Sequence, residues 1–192
     1  MPRNKKPRKI ATIILVIGLA IAAPMMIIYI HQGVLVFSVN QASEDYFTSK
    51  VLVPGEEKRF PIGFFFLPIE QIGCGLYINS PNVPNCLVTL HDQWTGEIFL
   101  LFNISSGTGI IFGGGHISSS ELGPVGDYYL LIKNNGSNSF TIDSFFTQIS
   151  MDTSFYISFV LVMVGGLIIL CIGLFLRAHS LPWKGEKREP NE

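Results

Sequence analysis

The chain has 192 residues, room for one ordinary domain with additions, and 48% of them are hydrophobic against 14% charged, a high ratio for a soluble protein. The net charge of -1 hides a partition, because nine of the 13 basic residues lie before Ile10 or after Leu176. Between those tips His31 to Ser154 holds four basic residues and 11 acids, a net of -7 that argues against docking on nucleic acid or broadly on anionic lipid.

Residues 1–9 carry Arg3, Lys5, Lys6, Arg8 and Lys9 and no acid. Residues 10–30, IATIILVIGLAIAAPMMIIYI, carry no charge and reach the roughly 20 residues a helix needs to cross a hydrocarbon core of about 30 Å. They read as a first transmembrane helix. Ala20-Ile21-Ala22 has the small-x-small form of a signal-peptide cleavage site, but Pro24 follows at once and cleavage would leave Met25 to Ile30 as an apolar flap. Retention as an anchor is the better reading. Pro24 then removes one helical hydrogen bond, and Tyr29 and His31 suit the headgroup level. Gly18 and Ala22, four apart, share a helix face that lets another backbone approach.

Residues 31–154 read as the functional domain. Short runs rich in Val, Ile, Phe, Tyr and Leu recur between Pro, Gly and Asn clusters: VLVFSV, SKVLVP, RFPIGFFF, CGLYINS, CLVTLHD, EIFLLFNI, GIIFGG, DYYLLIKN and SFTIDSFFTQI. Runs of this kind predict about eight or nine strands of an antiparallel sandwich or jelly roll, with no helix, since no apolar period of 3.6 is sustained. Leu130, Ile132, Phe140 and Ile142 alternate on either side of Asn134-Asn135-Gly136-Ser137, which reads as a β-hairpin.

Within that domain Cys74 and Cys86 flank GLYINSPNVPN and are candidates for a disulfide that would stabilise by about 3 kcal/mol; two free buried thiols are the alternative. Asn103 and Asn135 begin Asn-x-Ser triplets, the acceptor pattern for glycosylation. Phe64, Phe65 and Phe66 cannot all face inward on one strand, so the run is a candidate interaction patch that meets the bilayer, a partner or an overlying loop. Gly107-Thr108-Gly109 and Gly113-Gly114-Gly115 lack the strand-to-helix context of a phosphate loop and read as flexible turns.

Residues 155–176, FYISFVLVMVGGLIILCIGLFL, again carry no charge and read as a second transmembrane helix, with Gly166 and Gly173 on one face and Cys171 as a packing residue. Residues 177–192 form a tail with Arg177, Lys184, Lys187 and Arg188 against three glutamates. Because Lys and Arg resist translocation, both tips are expected in the cytoplasm and 31–154 outside.

The order VLVPGEEKRFPIGF, CLVTLHDQWTGEIF, ELGPVGDYYLLIKNNGSNSFTI resembles the GOLD-type β-sandwich of membrane-bound cargo receptors, through Pro54, Gly55, Asp92, Gly126, Tyr128 and Asn134. It is also similar to the jelly-roll modules appended to secreted peptidases. The resemblance implies a β-sandwich with a protein-binding habit. It departs from the cargo receptors in its extra N-terminal span, in having no coiled coil before the second span, and in a tail without dilysine or diaromatic signals. Trafficking is therefore not implied.

Catalytic patterns are missing: no HExxH, CxxC, Gly-x-Ser-x-Gly or P-loop occurs. His91, Asp92, His116 and Glu121 are too unpatterned to predict a metal site, and no cofactor is expected. Spans without ionisable residues argue against a transport route. Three classes remain, in falling order: an extracytoplasmic, non-enzymatic protein-interaction module; an accessory or stabilising subunit of a larger membrane enzyme or transport complex; and, last, an enzyme or metal carrier using His91 and His116. Its expected partners are the lipid bilayer and another membrane or extracytoplasmic protein.

Overall fold

The computed structural model describes residues 6–46, 49–123 and 125–179, so most of the basic N-terminal tip and most of the C-terminal tail fall outside the description. It divides into two compact units, Met1–Tyr29 with Ile157–Glu192, and Ile30–Tyr156.

The first unit is a helix pair, the N-terminal part of α1 (Lys6–Tyr46) with most of α2 (Thr153–His179). By length and composition both are apolar enough to cross a membrane. Pro24 lies inside α1 without ending it. The two helices meet through small residues in a regular antiparallel register. A β-carbon added at Gly18 would lie 2.5 Å from the backbone nitrogen of Leu170, one at Gly173 2.7 Å from that of Leu15, and one at Gly166 3.0 Å from that of Ala22. Backbones this close leave no room for larger side chains at those glycines.

The second unit is a β-sandwich of eight strands: β1 (Lys50–Leu52), β2 (Glu57–Phe65), β3 (Ile69–Ser80), β4 (Cys86–Asp92), β5 (Ile98–Ile104), β6 (Gly109–Ser118), β7 (Gly126–Asn134) and β8 (Phe140–Met151). Two antiparallel four-stranded sheets run in the orders β1-β8-β3-β6 and β2-β7-β4-β5. This is jelly-roll order: among the described strands nearly every connection crosses between sheets, and only β4–β5 is a hairpin. Strict alternation builds the core: Tyr128, Leu130 and Ile132 of β7 face Ile72, Leu76 and Ile78 of β3 in one buried cluster.

Three expectations are corrected. First, VLVFSV is not a strand but part of α1. Gln32, Leu35, Val36, Val39 and Asn40 recur at helical spacing toward the sandwich, so the β-branched composition misled where the 3.6 period was present. Val39 joins the core, and Thr147 Oγ1 of β8 donates to the Val39 carbonyl at 3.2 Å. Gln32 secures the edge strand β2: its Nε2 donates to the Phe64 carbonyl at 3.3 Å and its Oε1 accepts from the Phe66 amide at 3.2 Å.

Second, β7 and β8 are not a hairpin. They lie in opposite sheets, so Asn134 to Asn138 form an arch over the end of the core. The alternation holds on both strands, but it brings Leu130 and Phe140 to the core from facing sheets. Third, Gly113-Gly114-Gly115 are not turns; they lie inside β6. A β-carbon at Gly115 would lie 2.3 Å from the Leu101 carbonyl oxygen and one at Gly113 2.5 Å from Ile104. The missing side chains let β5 and β6 close one side of the sandwich. Gly107 and Gly109, by contrast, lie in the β5–β6 connection and at the first residue of β6, with φ of 92° and 81°.

The expected Cys74–Cys86 disulfide is not formed; both are buried free thiols. The segment between them crosses from one sheet to the other, and each cysteine fills a core position in its own strand. Burial pushes both thiols up to about 12, with Cys86 adding to the effect on Cys74. Protonated thiols of this kind are poor nucleophiles. Iodoacetamide at neutral pH should therefore leave both unmodified in the native protein and modify both once it is denatured without reductant. Recovery of a linked Cys74–Cys86 peptide pair would overturn this.

Candidate functional site

The two sandwich faces differ in chemistry. On the outer face of the second sheet, Glu57 pairs with Lys133 at 2.8 Å, Arg59 lies 5.1 Å above the Tyr129 ring, and Tyr129 stacks on His91 at 4.7 Å. Desolvation, with Arg59 nearby, holds the His91 imidazole below its usual pKa. These side chains serve one another.

The outer face of the first sheet is uncharged along its middle. Antiparallel register places Gly75 of β3 between Gly114 of β6 and Phe146 of β8, and Gly73 between His116 and Gln148. Since alternate residues share a face, Gln71, Gly73, Gly75 and Tyr77 form the outward row of β3, with glycine at its centre. Neighbouring rings fill the glycine slots: a β-carbon at Gly75 would lie 2.1 Å from the Phe146 ring, and one at Gly114 3.0 Å from the Phe112 ring. The Phe112 and Phe146 rings are near-parallel, 6° apart with centroids separated by 6.3 Å, and Tyr77 continues the series 4.8 Å from Phe112. Beside them a shallow groove of about 260 Å³ is lined by Gln71, His116, Gln148, the two phenylalanines and a glycine floor. Among the described residues the side chains of Gln71, His116 and Gln148 make no hydrogen bond.

A larger cavity of about 650 Å³, lined by Val36, Phe37, Met151 and Tyr156 among others, adjoins the start of α2. It is mainly apolar and holds no cluster of titratable groups.

The sequence-predicted residues are placed as follows. Phe65 is fully buried and drops out of the interaction patch. Phe64 and Phe66 remain at the surface of the sandwich, their rings edge-to-face at 4.5 Å, with Trp94 4.9 Å from Phe64 and His31 6.0 Å from Phe66. Asn103 and Asn135 are both exposed. Gly18, Ala22, Gly166 and Gly173 lie at the α1–α2 contact. His91 and His116 lie on different sheets, and among the described residues no group of three or more His, Cys, Asp or Glu could hold a metal ion. Asp92 is occupied in the β4–β5 turn, accepting from the Trp94 amide at 2.8 Å and from Thr95 Oγ1 at 3.1 Å.

Sequence reasoning missed the groove. The available signal was CGLYINS preceded by Gln71-Ile72-Gly73, in which alternate positions are glycine while the others are apolar. A half-exposed strand whose outward central residues lack side chains leaves its neighbours' rings lying over bare backbone.

No protein-family model matches the chain, and no curated protein matches it. Among solved structures it is similar to a chain of the T13 particle of infectious bursal disease virus, at 11% identity and TM-score 0.42 over 57% of this chain and 30% of that one. It is also similar to a family 16 carbohydrate-binding module, at 10% identity and TM-score 0.39 over 51% of this chain and 74% of that one. A third is the C-terminal family 6 carbohydrate-binding module of LamC from Zobellia galactanivorans, at 13% identity and TM-score 0.35 over 51% and 74%. Likeness at this level carries no argument, and the fold rests on the strand pairing.

Proposed function

We propose that the protein is a two-pass membrane protein that presents its β-sandwich outside the membrane as a non-enzymatic binding module, acting through the outer face of the β1-β8-β3-β6 sheet. The observation that carries this reading is the outer face of the first sheet, which exposes aromatic rings and unbonded amides over a glycine floor, whereas the charged and imidazole side chains Glu57, Arg59, His91 and Lys133 of the second sheet are engaged with neighbours on their own face. A surface of aromatic area with a few neutral hydrogen bonders suits recognition better than chemistry, which needs a nucleophile or a tuned acid–base pair.

Membrane anchoring draws on the two apolar helices and on the charge partition. Arg8, Lys9 and Arg177 line one end of the antiparallel helix pair, which supports cytoplasmic placement of both termini and of the tips 1–9 and 177–192. Residues 31–154 then lie outside, where Asn103 and Asn135 would accept glycans in a host with the machinery. The GOLD-type likeness adds only a protein-binding habit. The accessory-subunit alternative loses much of its motive, because the glycines that suggested it are engaged between α1 and α2.

Topology is checked by cysteine reporters in sealed cells. An impermeant reagent should label a reporter at Asn135 and miss reporters at Lys6 and Lys187; labelling of either tip would overturn the orientation. The binding role is checked by crosslinking from the groove in the native membrane, with loss of the crosslinked species in Phe112→Ala expected.

A further inference from the structure

We infer that the groove on the outer face of the β1-β8-β3-β6 sheet binds a neutral pyranose oligosaccharide, an inference that rests on the binding-module reading and names its ligand class.

Three features select this chemistry. The first is the floor: Gly73 and Gly114 carry no side chains, and the Phe112 and Phe146 rings lie over Gly114 and Gly75, so the middle of the sheet presents a low surface of ring and backbone to a flat ligand. The second is the pair of near-parallel rings, Phe112 at 53% and Phe146 at 39% exposure, with Tyr77 beyond. The C–H face of an all-equatorial pyranose is apolar and weakly positive, which complements the negative face of an aromatic ring. The third is the set Gln71, His116 and Gln148. A primary amide and a neutral imidazole each offer both a donor and an acceptor, and so does every sugar hydroxyl.

Charge separates the sugar from its competitors. The groove is lined by no Asp, Glu, Lys or Arg, so it offers nothing to a phosphate, an acidic glycan or a charged peptide. An extended peptide adding a strand would pair with the edge strand β6 in the plane of the sheet, whereas this groove lies over the face of β3, β6 and β8. A proline-rich peptide is the nearest rival, since it also packs on aromatic rings. It presents carbonyl acceptors and few donors, which would use half of the capacity of the amides.

The test uses full-length protein in lipid nanodiscs, which avoids sugar-headed detergents, titrated calorimetrically with cellohexaose, maltohexaose and laminarihexaose. Saturable binding of at least one is expected. Phe112→Ala and Phe146→Ala should each weaken it roughly tenfold or more, as loss of a central aromatic anchor does. Phe112→Tyr should retain it, and His91→Ala, on the other sheet, should leave it unchanged. Near-UV circular dichroism of each variant confirms that the sandwich is intact; a variant that fails this check is replaced by Gln148→Ala, for which a smaller loss is expected. Absence of binding by all three sugars, or binding indifferent to both phenylalanines and to Gln148, overturns the inference. A proline-rich decapeptide that binds instead and is lost in Phe112→Ala also overturns it, while leaving the binding-module reading standing. If groove crosslinking in the native membrane fails as well, that reading falls too.

Discussion

Asn134→Ala is expected to lower the unfolding midpoint of the full-length protein in detergent by more than any surface substitution, because one fully buried side chain ties together the end of β1 and the β7–β8 arch. Its Nδ2 donates to the Leu52 carbonyl at 3.0 Å and to the Asn138 carbonyl at 2.9 Å, while its Oδ1 accepts from the Gly136 amide at 2.9 Å. The backbone of the same residue exchanges bonds with Glu56 and Gly55 at 3.0 and 2.8 Å. Alanine keeps the backbone bonds and leaves the buried Leu52 carbonyl without its partner, together with the Gly136 amide and the Asn138 carbonyl, which water can reach. At about 1 to 3 kcal/mol for an unsatisfied buried group, with smaller losses where water reaches the other two, the loss comes to about 2 to 4 kcal/mol. Asn134→Asp should be worse than alanine: a carboxylate accepts from Gly136 but cannot donate, and it sets a buried charge against two carbonyl oxygens. Near-UV circular dichroism followed with temperature reads both. If the aspartate variant is the more stable of the two, Asn134 does not act as the donor described.

Leu130→Ala should produce a loss of similar size by a different cause. Leu130 is fully buried at the middle of β7, flanked by Phe60 of β2 and Leu90 of β4. Removing a buried leucine side chain costs about 2 to 5 kcal/mol, depending on how far the surrounding core collapses. That is a large share of the roughly 5 to 15 kcal/mol that holds a domain together. Lys133→Ala, three residues along the strand, removes only an exposed ion pair with Glu57 and should change the midpoint little. Equal melting of Leu130→Ala and the parent, with loss of ligand capture, would mean that β7 is a recognition surface and not core.

Much of the fold was legible because strand composition and alternation are local. Eight of the nine apolar runs are strands. Their inward residues follow from a period of two, and the two apolar helices follow from length and lack of charge. Where the reading failed, two local signals competed. VLVFSV is rich in β-branched residues yet spaces Leu35, Val36 and Val39 for one helix face, and burial of that face against the sandwich outweighed intrinsic preference. In Gly113-Gly114-Gly115 the sequence offers permissive backbone, which suits a turn or a tightly approached strand equally.

By itself, then, the sequence determined the eight strands, the apolar helices, the sign of the charge at each end and the core positions of the strands. These depend on neighbours within a few residues. Tertiary structure decided which strands pair, because pairing is a contact between residues far apart in the chain and alternation is the same in a hairpin and in an arch. That choice set Cys74 and Cys86 as buried free thiols on facing sheets, buried Phe65 while leaving Phe64 and Phe66 outside, and drew Gly75, Gly114 and Phe146 into one row. The groove exists only as a product of that register, since a shift of one residue in β6 or β8 would turn its rings into the core.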